Sequence, residues 1–136
     1  MLKGSIAEQR SNDVVSAFFD GIKSLRQYSV TQEDVIRSIM SKGAPRFYVS
    51  YEKACRFVSL IERGKKLPLK NPNKTEMYME LHRRYKSFAD EHGCIGYKAL
   101  EKIILEPAPS YYMNLKSFRE IIYRYYKQHR ISRECQ

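Results

Sequence analysis

Tryptophan is absent from this chain of 136 residues, and cysteine, proline and glycine are few, at three, five and six. An odd number of Cys without regular spacing does not suit a disulfide framework as the source of stability. Stability must then come from apolar burial. A hydrophobic content of 43%, with 12% aromatics, is sufficient for one core shared by the whole chain, whereas half the chain alone lies near the size at which independent folding becomes marginal. No apolar run approaches the roughly 20 residues of a membrane span. Met1 to Asn12 also lacks the apolar stretch of a secretory signal. The expectation is a cytoplasmic protein with no membrane association.

Acid is the other scarcity, with 15 Asp plus Glu against 25 Lys plus Arg for a net charge of +10. Its distribution is uneven. Residues 1–45 carry 6 basic and 5 acidic groups, so they are nearly neutral. From Arg63 to Lys74 there are five cations (Arg63, Lys65, Lys66, Lys70, Lys74) and no acid, and from Arg119 to Arg133 five more (Arg119, Arg124, Lys127, Arg130, Arg133) face Glu120 alone. Acid-poor stretches of this kind fit contact with a polyanion, most often nucleic acid; a solvated surface that keeps the chain soluble is the plainer alternative.

What is present in abundance is an internal echo. Ala44-Pro45-Arg46-Phe47-Tyr48-Val49-Ser50 returns 64 positions later as Ala108-Pro109-Ser110-Tyr111-Tyr112-Met113-Asn114. Pro cannot continue a helix and pushes the preceding Ala toward extended backbone, while Ser50 and Asn114 are favoured N-caps. Each copy therefore reads as a joint between two helices. Phe47 to Val49 and Tyr111 to Met113 are β-prone and, if extended, alternate sides, so a minimal strand pair at the two joints is expected.

Apolar periodicity fills in the rest. A first helix is predicted over Asp13 to Gln27 with Ser11 or Asn12 as cap, with Leu2 and Ile6 able to extend it upstream, and Gly21 inside it suggests close approach of a neighbour. Thr31 with Asp34 forms a capping-box start for a second helix, with Val35, Ile36, Ile39 and Met40 on one face and Gly43 as its stop. Ser50 caps a third, whose stripe includes Ala54, Cys55 and Val58 and which ends at Gly64. Lys65 to Asn73 reads as a linker pinned by Leu67 and Leu69. Thr75 to Glu91, Gly96 to Leu105 and Leu115 to about Arg130 then repeat the order, with Leu100, Ile103 and Ile104 matching Ile36, Ile39 and Met40, and with Ile131 to Gln136 frayed. The fold class predicted is all-α: two pseudo-repeated three-helix halves (about 11–64 and 75–130) joined by a linker at 65–74 within a single domain.

Chemistry has no evident seat. There is no Gly-rich phosphate loop, no Gly-x-Ser-x-Gly elbow and no His-Glu-x-x-His. Glu76 and Glu80, followed by Arg83 and Arg84, fit surface ion pairing, and His82, His92 and Cys94 lack the spacing of a zinc site. The segments before and after the first joint are too far apart for a helix-turn-helix. The sequence thus predicts a non-enzymatic binding protein without cofactor or metal. Its partner is read as nucleic acid, DNA or RNA, contacted by Arg63, Lys65, Lys66, Lys70, Lys74, Arg119, Tyr123, Arg124, Lys127 and Arg130. In the last helix the Tyr side chains are interleaved with the cations, which suits stacking beside phosphate contact. The rival reading is a protein-protein adaptor or homodimer that uses the same Tyr-rich helix as an interface anchor.

Overall fold

The computed structural model describes residues 5–26, 28–93 and 96–134, with side chains up to residue 129. Among these the chain forms α1 (Ile6–Leu25), α2 (Gln32–Lys42), α3 (Tyr51–Glu62), α4 (Pro72–His92), a 3₁₀ turn (Tyr97–Ala99), α5 (Leu100–Ile103) and α6 (Leu115–Glu134), and no strand. The all-α reading holds. No described helix is long and apolar enough to cross a membrane.

Most helix starts follow from side chains that satisfy otherwise unpaired backbone N–H groups. Thr31 and Asp34 form the predicted capping box: the Thr31 hydroxyl accepts from Asp34 N–H at 3.1 Å and Asp34 accepts from Thr31 N–H at 2.9 Å. Ser50 accepts from Lys53 N–H at 3.2 Å, and Asn114 from Ser117 N–H at 2.9 Å. Two starts differ from expectation. Helix α1 begins at Ile6, so Ser11 and Asn12 lie inside it; the cap is Ser5, whose hydroxyl accepts from Glu8 N–H. Helix α4 begins at Pro72 under Asn71, because Pro at the first helical position has no N–H to leave unpaired. At the far ends, α3 closes in a Schellman turn: Gly64 at φ 70° donates to Ile61 O, and Lys65 donates to Leu60 O, both at 2.9 Å. Helix α6 continues to Glu134, beyond the predicted end near Arg130. The predicted helix over Gly96 to Leu105 is reduced to the 3₁₀ turn and the four residues of α5. Its buried face survives nonetheless, as Leu100, Ile103 and Ile104.

The chain forms two compact units that are not its sequence halves: one from residues 1–43 with 113–136, the other from 44–112. In the first, α1, α2 and α6 pack on one another around Val14, Phe18, Val35, Ile36, Ile39, Phe118, Ile121 and Ile122. Gly21 sits where α1 meets α2, and a Cβ there would lie 2.9 Å from Val35 Cγ1. The Arg119 guanidinium pairs with Glu33, tying α6 to α2. Phe18 and Phe19 of α1 meet Tyr125 and Tyr126 of α6 edge to face.

In the second unit, α3 packs on α4 and α5 around Phe57, Val58, Met77, Tyr78, Leu81, Leu100 and Ile103. His82 of α4 meets Glu62 of α3 at 2.5 Å. Leu67 is buried and Leu69 half-buried, so the segment between α3 and α4 is held down as its two Leu suggest. The first joint lies in this unit, and the second does as far as Tyr112. Ala44 and Ala108, 64 positions apart, form an isolated antiparallel bridge with both N–H···O bonds at 2.9 Å. The pairing stops there: Phe47 N–H instead donates to Ile104 O at 2.9 Å, so the expected strand pair at 47–49 and 111–113 is replaced by ring stacking. Phe47 stacks on Tyr112 with centroids 6.2 Å apart, and Tyr48 on Tyr111 at 5.9 Å. Each stack becomes the other when 64 is added to one residue and subtracted from its mate. Side chains alternate along both joints, with Phe47, Val49, Tyr111 and Met113 buried and Tyr48 and Tyr112 half-buried. Tyr112 alone among described non-Gly residues has positive φ, at 57°, with its N–H donating to Ser110 Oγ. Arg84 braces the joint by donating to Glu80, Glu106 and the Pro107 carbonyl while lying 4.9 Å over the Phe47 ring.

Candidate functional site

The cations singled out in the sequence fall in both units, each as its own patch. In the unit of residues 44–112, Arg63, Lys65, Lys66, Lys70 and Lys74 are all exposed on the turn after α3, the following extended segment and the start of α4. Chain geometry accounts for the exposure. The Schellman turn carries Lys65 and Lys66 off the end of α3, and burial of Leu67 between them and Lys70 turns the lysines outward. Arg63 is partly engaged, its Nε donating to Ser59 O at 3.5 Å at the C-terminal end of α3, where a cation also complements the helix dipole. The first turn of α4 holds no acid.

In the other unit the patch lies on α6. Phe118, Ile121 and Ile122 are buried against α1 and α2, which leaves Lys116, Tyr123, Arg124 and Lys127 exposed. Tyr123 is 64% exposed, while the neighbouring Tyr125 and Tyr126 are half-buried against Phe18 and Phe19. Lys116, Tyr123 and Lys127 recur at spacings of seven and four residues, so they share a side of the helix. Arg119, counted with them from sequence, is committed to Glu33. The same carboxylate also pairs with Arg37 at 3.0 Å. The Arg37 hydrogen bond is the main cause that holds the Glu33 carboxyl below its ordinary range, with the Arg119 charge adding to it. Arg130 lies on α6, but its side chain is outside the described residues.

A groove of about 420 Å³ runs between α1 and α6 beside this patch, and it was not legible in the sequence. Its floor is Val15, Ile121 and Tyr125, and its rim carries Glu8, Asn12, Arg124 and Gln128. The residues come from opposite ends of the chain, each set repeating once per helical turn on its own helix. The sequence offers only polar residues at helical spacing on the Asn12 side of α1, and of these Ser11 and Asn12 read equally well as helix caps.

Several other titratable groups have structural roles. Glu80 pairs with Arg83 and, at 2.9 Å, with Arg84. His82 pairs with Glu62, and the His92 ring stacks on Phe88 with centroids 4.2 Å apart. Cys94 lies outside the described residues, and among these no three His, Cys, Asp or Glu side chains gather in a way that could hold a metal ion. Cys55 is a half-buried free thiol on α3, and its hydrogen bond to Tyr51 is the main cause that raises the Tyr51 hydroxyl pKa. No protein-family model matches the chain, and no curated protein or solved structure is significantly similar to it.

Proposed function

We propose that this protein binds nucleic acid without catalysing a reaction, and that the outer face of α6 is a principal contact surface. Tyr123 is the observation that carries the reading: a ring 64% exposed on a helix otherwise anchored by buried Phe118, Ile121 and Ile122. An aromatic ring left in water gains by stacking on a base, which alanine substitutions in other proteins value at about 1–3 kcal/mol per base. Arg124 and Lys127, with Lys116 two turns before Tyr123, supply phosphate contacts beside that ring. The exposed lysines at 65, 66, 70 and 74 offer a second anchoring point without stacking groups.

The architecture that presents these patches is read as two related halves that have exchanged their third helices. Supporting this, α1, α2 and α3 begin 66, 65 and 64 residues before α4, the 3₁₀ turn and α6, as the residue numbers give. The Ala44–Ala108 bridge and the two ring stacks obey the same offset. Superposition of an experimental structure's 44–50 on 108–114 with their flanking helices tests this, and divergent helix directions would refute it.

Binding is tested by fluorescence anisotropy with labelled single-stranded and duplex oligonucleotides across a salt series. The logarithm of affinity should fall linearly with the logarithm of salt. Each lost phosphate contact should make that slope shallower by about 0.7 for single strands or about 0.9 for duplex DNA. The triple variants Lys65→Ala/Lys66→Ala/Lys70→Ala and Lys116→Ala/Arg124→Ala/Lys127→Ala should both flatten it, whereas Tyr123→Ala should weaken binding with the slope preserved. Wild-type protein that binds no oligonucleotide in a salt-sensitive way, or triple variants that keep the wild-type slope, would refute the proposal.

A further inference from the structure

We infer that the groove between α1 and α6 is a pocket for one unpaired nucleobase. The inference rests on the nucleic-acid reading and adds a recognition element that a charged helix face lacks. At about 420 Å³ the groove lies within the size range of small-molecule sites. Its chemistry is that of a flat ring with a polar edge. Val15 and Ile121 offer an apolar surface, and Tyr125 completes that floor with its ring, which meets Phe19 edge-on at 5.4 Å and stacks on His129 at 3.9 Å. Asn12 and Gln128 bring one amide from each helix to the rim, and each amide offers donor and acceptor together, the pattern that matches a base edge and suits adenine best.

Charge sets the direction of entry. Glu8 at the rim repels a phosphate, so the base enters and its phosphate stays outside. Arg124, also at the rim, is one residue from Tyr123 and three from Lys127, on the face that would carry the strand. A strand whose phosphates follow α6 can therefore stack one base on Tyr123 and turn a neighbouring base into the groove. Single-stranded nucleic acid allows this readily, because its bases can be splayed from the stack.

The test is an NMR titration of the full chain with adenosine 5′-monophosphate and, separately, with ribose 5-phosphate, which carries the same sugar and phosphate without a base. The nucleotide should shift backbone amide signals of residues 7–15 and 121–128, and ribose 5-phosphate should leave them in place. Ala7→Trp, built from an exposed lining position so that the indole fills the groove, should abolish the shifts. The Asn12→Ala/Gln128→Ala variant, at two exposed positions, should weaken nucleotide binding about tenfold while keeping the helical circular-dichroism spectrum. No shifts with the nucleotide, equal shifts with ribose 5-phosphate, or nucleotide binding indifferent to both variants would overturn the pocket. The two readings fail separately. Ala7→Trp protein that binds single strands with wild-type affinity and salt slope removes the pocket and keeps the α6 surface; nucleotide binding blocked by Ala7→Trp in a chain with no salt-sensitive oligonucleotide binding keeps the pocket and removes the α6 surface.

Discussion

Gly21→Ala should destabilise the protein although it favours the helix it sits in. Alanine in a helix interior is worth about 1 kcal/mol over glycine, through lower backbone entropy in the unfolded chain, so the local effect is stabilising. The tertiary effect is opposite. The new Cβ would stand 2.9 Å from Cγ1 of Val35, a β-branched side chain that is 2% exposed and cannot rotate away without losing its own packing. Overpacking of this kind typically costs about 1–3 kcal/mol, which leaves a net loss of about 0–2 kcal/mol. The sharper expectation is a reversal of sign. Val35→Ala removes the clashing methyl at its own cost of about 1.6 kcal/mol for two buried methyl groups, before any cavity term. Introduced into that background, Gly21→Ala should stabilise by about 1 kcal/mol. Urea denaturation of the four proteins gives the coupling energy directly, expected at about 1–3 kcal/mol. Gly21→Ala that stabilises the wild type and the Val35→Ala protein equally would show that α1 and α2 do not approach as closely as the structure places them.

Ser50→Ala and Asn114→Ala should each lower stability by about 0.5–2 kcal/mol, since each removes the side-chain acceptor for an N–H in the first turn of α3 or α6; unchanged denaturation midpoints for both would remove the capping account. Stability should also fall on acidification through the start of α2. Glu33, hydrogen-bonded by Arg37 and close to Arg119, and Asp34, which accepts from Thr31 N–H, both have carboxyls held below their ordinary values of 4.5 and 3.8. A carboxyl whose pKa is lower in the folded state contributes fully above its unfolded value and loses that contribution as pH falls through the folded one. Midpoints measured from pH 6 downward should therefore begin to drop near pH 4.5 and drop less steeply in Glu33→Gln/Asp34→Asn, whereas parallel curves would refute the assignment.

Most features whose cause lies within a few residues could be read directly from the sequence. The Thr31–Asp34 box, the Ser50 and Asn114 caps, the Gly43 and Gly64 stops and the outward face of Tyr123 depend on side chains reaching their own turn or on apolar spacing, and these were legible. Even some local signals were ambiguous. Ser5 with Glu8 and Ser11 with Asn12 are both plausible helix starts, and the structure uses the former. Tertiary structure decided which partner each face meets. An amphipathic stripe states that a helix must be covered but not by what, so nothing in α3 or α6 showed that they would pack with α4 and α5 and with α1 and α2 respectively. The same reason explains the shortened α5, whose buried Leu100 and Ile103, with Ile104 just after it, satisfy the core in about one turn, and the Ala44–Ala108 bridge, which needs two joints brought together from 64 residues apart. It also explains Arg119, whose partner Glu33 is 86 positions away. The groove of Asn12 and Gln128 belongs to this second kind, because polar residues on two helices become a site only where long-range packing sets the helices side by side.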